Sequence, residues 1–83
     1  WIVFMDSMDQ DGDVVAVEAG GIVQHVALTK AWIPIAVLLD SGRVGVTGVY
    51  DGGGGITVAL ATRSGPVALR ILMPGERVEV ATP

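Results

Sequence analysis

An all-β fold, a small sandwich or barrel of seven to eight short strands in meander or Greek-key hairpins, is what this sequence predicts. Three observations carry that expectation. Runs of Val, Ile and Leu alternate with smaller or polar residues at a period of two, the pattern of a strand with one covered face. Gly or Pro interrupts every window long enough for a stable helix. The turn signals recur at roughly 8–12-residue spacing, which favours hairpins over the strand–helix–strand alternation of a parallel sheet. The whole chain, residues 1–83, is expected to be one domain.

The elements follow in order. Trp1–Met5 is the first apolar run, and the polar stretch Asp6–Gly12 separates it from Asp13–Glu18. Ala19-Gly20-Gly21 turns the chain into Ile22–Thr29, where Ile22, Gln24, Val26 and Leu28 share one face. A connection through Lys30–Ile33 leads to Pro34–Leu39, apolar on both sides and therefore expected to be covered on both. Asp40-Ser41-Gly42 turns the chain into Arg43–Tyr50, with Val44, Val46 and Tyr50 on one face. Gly45 and Gly48 inside that strand predict a bulge, a bend or a close approach by another backbone. Asp51–Gly55 is a glycine-rich tip. Ile56–Thr62 then places Ile56, Val58 and Leu60 together, and Pro66–Met73 groups Val67, Leu69 and Ile71. Pro74-Gly75 has the Pro-then-Gly order of a tight turn, and Glu76–Ala81 closes the chain.

Composition narrows the function classes. The hydrophobic fraction is 51% and only 17% of residues are charged, against about 25% in an ordinary soluble domain. A spanning helix needs about 20 consecutive apolar residues. The longest apolar run, Ala31 to Leu39, is broken by Pro34, so no membrane span is expected. The surplus apolar surface is expected to be covered by self-association into a homo-oligomer. Net charge is −4, and Lys30, Arg43, Arg63, Arg70 and Arg77 are scattered singly, which excludes the clustered cations a nucleic-acid backbone requires. Asp6, Asp9, Asp11, Asp13 and Glu18 instead gather acidity at one end of the sequence. With no cysteine, there is neither a disulfide framework nor a thiolate metal site.

Two patterns carry residues suited to chemistry. The stretch Ser7–Glu18 resembles the twelve-residue calcium loop of EF-hand proteins. Acids stand at its third and fifth positions, Gly12 at the sixth and Glu18 at the twelfth. It departs from that family at Ser7, which holds the first ligand position, and in the strand-like alternation of Asp13–Glu18 where a helix should begin. Asp9, Asp11 and Asp13 are accordingly candidate calcium ligands in a β-loop, set against a solubilising acidic hairpin loop. Val37-Leu38-Leu39-Asp40-Ser41-Gly42 resembles the catalytic turn of retroviral-type aspartic peptidases, in which two carboxylates from a homodimer share a proton. That resemblance makes Asp40 the candidate catalytic residue. It departs at Arg43, a cation where the family has a small residue. The competing expectation is an ordinary hairpin turn at Asp40-Ser41-Gly42.

The remaining candidates have simpler expectations. Gly52–Gly55 lacks the following helix and nearby Lys of a phosphate loop. His25 is the single histidine and is expected half-buried on a strand. Neither Ser41 nor Ser64 stands at a spacing that marks a nucleophile for it. Trp1 and Trp32 are placed at ends of the core or in a subunit interface. The expected function is thus a non-enzymatic structural, interaction or small binding module that self-assembles through apolar strands. A homodimeric aspartic-peptidase-like hydrolase and a calcium-binding β-loop module are the competing classes.

Overall fold

A computed structural model describes residues 2–6, 12–36, 42–62 and 65–81. Among these residues eight strands form: β1 (Ile2–Asp6), β2 (Val14–Ala19), β3 (Ile22–Ala27), β4 (Ile33–Ile35), β5 (Arg43–Tyr50), β6 (Val58–Thr62), β7 (Gly65–Ala68) and β8 (Arg77–Ala81). No helix occurs among the described residues. Every pairing is antiparallel, in two four-stranded sheets of order β4-β1-β6-β7 and β3-β2-β5-β8. The expected all-β class is therefore what the chain adopts. The two sheets stay separate, so the architecture is a sandwich and the barrel alternative is set aside.

Alternation in the sequence becomes the inside and outside of this sandwich. Ile2 and Phe4 of β1, Val15 and Val17 of β2, Val44 and Val46 of β5, and Val58 and Leu60 of β6 are buried together in one core. Both sheets thus present their inner faces to the same cluster, as face-to-face sheet packing requires. Ile56 and Leu72, joined by an isolated antiparallel bridge, close one end of it.

Only β2–β3 and β6–β7 are hydrogen-bonded neighbours that also follow one another in sequence; the other connections pass from one sheet to the other. A plain meander is excluded by that crossing pattern. The β2–β3 turn is the two-residue Gly20-Gly21, with φ of 60° and 78°. Positive φ at both central residues is the geometry that matches strand twist, and glycine adopts it without a Cβ penalty. The Pro74-Gly75 turn forms as the sequence predicts, with Glu76 N donating to Met73 O at 3.0 Å. Its carboxylate then braces it: Glu76 Oε1 accepts from Met73 N at 2.8 Å and Oε2 meets Arg70 Nη1 at 3.3 Å. The Met73 amide, and after it Arg70, hold the Glu76 carboxyl below its ordinary range.

Three sequence expectations are corrected. The strand within Pro34–Leu39 is not covered on both faces: Ile33 and Ile35 pack half-buried against the core, while Pro34 on the other face is exposed, and β4 is an edge strand paired with β1 alone; residues 37–39 lie outside the described residues. Tyr50 leaves the face of Val44 and Val46. A register shift opposite Val14 and Val15 places one extra residue, Val49, in β5 and leaves Tyr50 58% exposed. Val67, Leu69 and Ile71 do not act as one inward row, since β7 ends at Ala68 and the core residue beyond it is Leu72.

The two mid-strand glycines of β5 have separate reasons. Gly48 combines two expectations: the bulge lies beside it, and a Cβ there would stand 2.7 Å from the Met73 carbonyl oxygen. Gly45 meets a side chain instead, because the Arg77 guanidinium lies across it.

Candidate functional site

The strand period carries two carboxylates into the interior. Ile2, Phe4 and Asp6 share the inner face of β1; Asp13, Val15, Val17 and Ala19 share that of β2 and its lead-in. Asp6 and Asp13 are both 0% exposed. Burying ionisable groups is costly unless hydrogen bonds replace the lost water, so their partners define what they do.

Those partners converge on the glycine-rich tip. Asp13 Oδ1 accepts from Gly52 N at 2.8 Å, and Oδ2 accepts from Thr57 N at 3.4 Å. Thr57 Oγ1 in turn donates to Asp6 Oδ1 at 2.7 Å. Asp51 organises the tip from within, its Oδ1 accepting from Gly53 N at 2.8 Å and its Oδ2 from Gly55 N at 3.0 Å. Backbone bonds fix the surroundings: Asp6 N donates to Thr29 O at 2.7 Å and Leu28 N to Asp13 O at 2.9 Å. The end of β1, the start of β2, the exit of β3 and the whole 51–57 turn are thereby tied together. Both acids are closed to solvent, and their hydrogen bonds anchor the 51–57 turn.

Asp13 is the one member of the expected calcium trio among the described residues, and both of its oxygens already serve the turn. Asp9 and Asp11 lie outside the described residues, as do Asp40, Ser41 and Ser64. Among the described residues no group of three or more His, Cys, Asp and Glu side chains gathers as a metal site. The loop-anchoring role of Asp13 leads to an expected result: the thermal midpoint will be the same in calcium and in chelator. A rise in calcium alone would restore the cation-binding alternative, because a ligand that binds only the folded chain must stabilise it.

His25 stands opposite Ala16 on β3 and is exposed, more open than the half-buried placement expected of it. A shallow cleft of about 420 Å³ lies elsewhere, over the outer face of β2, β5 and β8. Its charges compensate one another: Arg77 Nη1 lies 2.8 Å from Glu18 Oε1, and Arg43 Nη1 lies 3.5 Å from Glu79 Oε2. Register explains the geometry. Glu18, Gly45 and Glu79 form one row across three strands, and Arg77 reaches diagonally over the space Gly45 leaves. Exposed pairs of this kind contribute about 0–1 kcal/mol each. Among the described residues that line the cleft there is no nucleophile, and each Arg is paired with a Glu.

Sequence reasoning passed over Asp6, Asp51 and Thr57. The signal for Asp6 was present, since it falls two residues after Phe4 on the apolar face. Thr57 had none, because its partners come from turns distant in sequence. No known family, no curated protein and no solved structure matches this chain.

No helix among the described residues is long and apolar enough to cross a membrane.

Proposed function

We propose that this chain is a non-enzymatic structural or interaction module that self-assembles through apolar β-sheet surface. The observation that supports this reading is the set of large apolar side chains left in water. Ile22 and Val23 stand on β3, with Trp32 beyond its exit. Val49 and Tyr50 end β5, with Ile71 and Met73 on the segment that runs against it. Each of these is more than 40% exposed. Single exposed apolar residues are ordinary, whereas groups of them mark contact surfaces. The buried acids reinforce the reading, because they stabilise a turn rather than face a cleft.

Light scattering at micromolar concentration tests it. The expected mass is a multiple of the 8.5 kDa chain. A mass equal to one chain would overturn self-assembly.

A further inference from the structure

We infer that the outer edge of β3 is the assembly surface, and that its occupant is β3 of a second copy, paired antiparallel about a two-fold axis at His25. This rests on the self-assembly reading above and assigns it a place and a register.

A sandwich with two open sheets has four edge strands, and natural proteins guard such edges with proline, charge or brevity. Here β4 is three residues long and carries Pro34, β7 carries Pro66, and β8 presents Arg77 and Glu79. β3 reads Ile-Val-Gln-His-Val-Ala, with no proline and none of Lys, Arg, Asp or Glu. It is the unguarded edge. Ile22 and Val23 on it are 50% and 52% exposed. Charge selects the same strand: each copy bears a net −4, so two copies approach with least repulsion along a strip free of acidic side chains.

The hairpin fixes which backbone groups face outward. Ala19 and Ile22 close the two-residue turn, and Leu28 N donates to Asp13 O at 2.9 Å, so the hydrogen-bonded rungs to β2 fall at Ile22, Gln24, Val26 and Leu28. The N–H and C=O groups of Val23, His25 and Ala27 therefore point away from β2, and no described residue hydrogen-bonds to them. A two-fold axis perpendicular to the sheet keeps inner faces together and runs midway between one residue and its own copy, so the register is centred on a residue. Centred on His25, it pairs Val23 with the partner subunit's Ala27 and His25 with the partner subunit's His25. Every outward-pointing group then finds a partner, and the two four-stranded sheets become one continuous sheet.

The test uses the whole chain. Val23→Lys with Ala27→Lys sets lysine against lysine on both outer rungs. Repulsion of directly opposed like charges is expected to raise the dissociation constant roughly ten- to thirtyfold. Because the native chain has no cysteine, His25→Cys and Val67→Cys can each be labelled once with pyrene. Excimer emission is expected from position 25 and not from position 67, a readout independent of how the lysine variant folds. A dimer that keeps its affinity with both lysines, or that gives excimer at 67 and none at 25, overturns this edge while leaving self-assembly standing. A monomeric wild-type chain overturns both.

Discussion

Replacing Asp13 with Ala is expected to lower the stability of the fold by about 2–3 kcal/mol, the usual worth of hydrogen bonds to a charged group together with the cost of stranding their donors. The carboxylate accepts from Gly52 N and Thr57 N, the two amides that bracket the glycine-rich tip. Gly52 is exposed, so its amide can turn to water; Thr57 is half-buried and linked to Asp6, so its amide cannot do so as freely. In a domain of this size each kcal/mol moves the midpoint by about 4–8 °C, which makes the expected drop roughly 10–20 °C. Asp13→Asn keeps one accepting oxygen and is expected to fall between the wild type and Asp13→Ala. Thermal melts followed by circular dichroism measure the drop, and amide exchange locates it. Faster exchange at Thr57 with unchanged exchange in β5 and β8 is the expected signature. A midpoint within 2 °C of wild type would show that the turn holds without Asp13.

The period-two pattern makes most of the sandwich legible in the sequence. Ile56, Val58 and Leu60 are buried where alternation placed them, and so are Val26 and Leu28. Gly20-Gly21 and Pro74-Gly75 turn the chain as their residue types require. What alternation cannot supply is the partner of each strand. β1 lies between β4 and β6, and β2 lies between β3 and β5, pairings between segments up to dozens of residues apart. Period two also assumes an uninterrupted ladder. One extra residue at Val49 reverses every later side chain of β5, which is why Tyr50 points to water.

The candidate site was less legible, and for a related reason. Acidic residues in a polar stretch read as a solvated or cation-binding loop, since that is where carboxylates avoid desolvation. Asp13 instead begins the β2 pattern, two residues before Val15, and inherits the inner face. Its burial depends on amides from the 51–57 turn, which only the folded chain brings within reach. A buried acid is visible in sequence as an apolar face with one wrong member; its hydrogen-bond donors are not visible there. The cross-strand row of Glu18, Gly45 and Glu79 shows the same limit, because it exists only once β2, β5 and β8 are in register.

Gly48→Ala is expected to be the most damaging small substitution in β5, costing about 2–4 kcal/mol through overpacking and the hydrogen bonds that must yield to relieve it. The added methyl would sit 2.7 Å from the Met73 carbonyl oxygen and 2.8 Å from Ile56 Cδ1. Neither neighbour can withdraw easily. Gly48 N donates to Glu76 O at 2.9 Å and Gly48 O accepts from Gly75 N at 2.8 Å, so the Met73–Glu76 turn is held against β5 on both sides of the clash. Ile56 is fully buried and bridged to Leu72. Gly45→Ala, three residues earlier on the same strand, supplies the contrast. Its methyl would meet the tip of Arg77, which can swing into solvent and give up exposed ion pairs with Glu18 and Glu79, worth about 0–1 kcal/mol each. The pair of variants separates two causes of glycine in a strand: room for a side chain that can leave, and room for a backbone that cannot. Equal midpoints for the two variants would mean that the Met73–Glu76 turn shifts away from β5 at little cost. A midpoint for Gly48→Ala lower by on the order of 10 °C is the result that the two flanking hydrogen bonds predict.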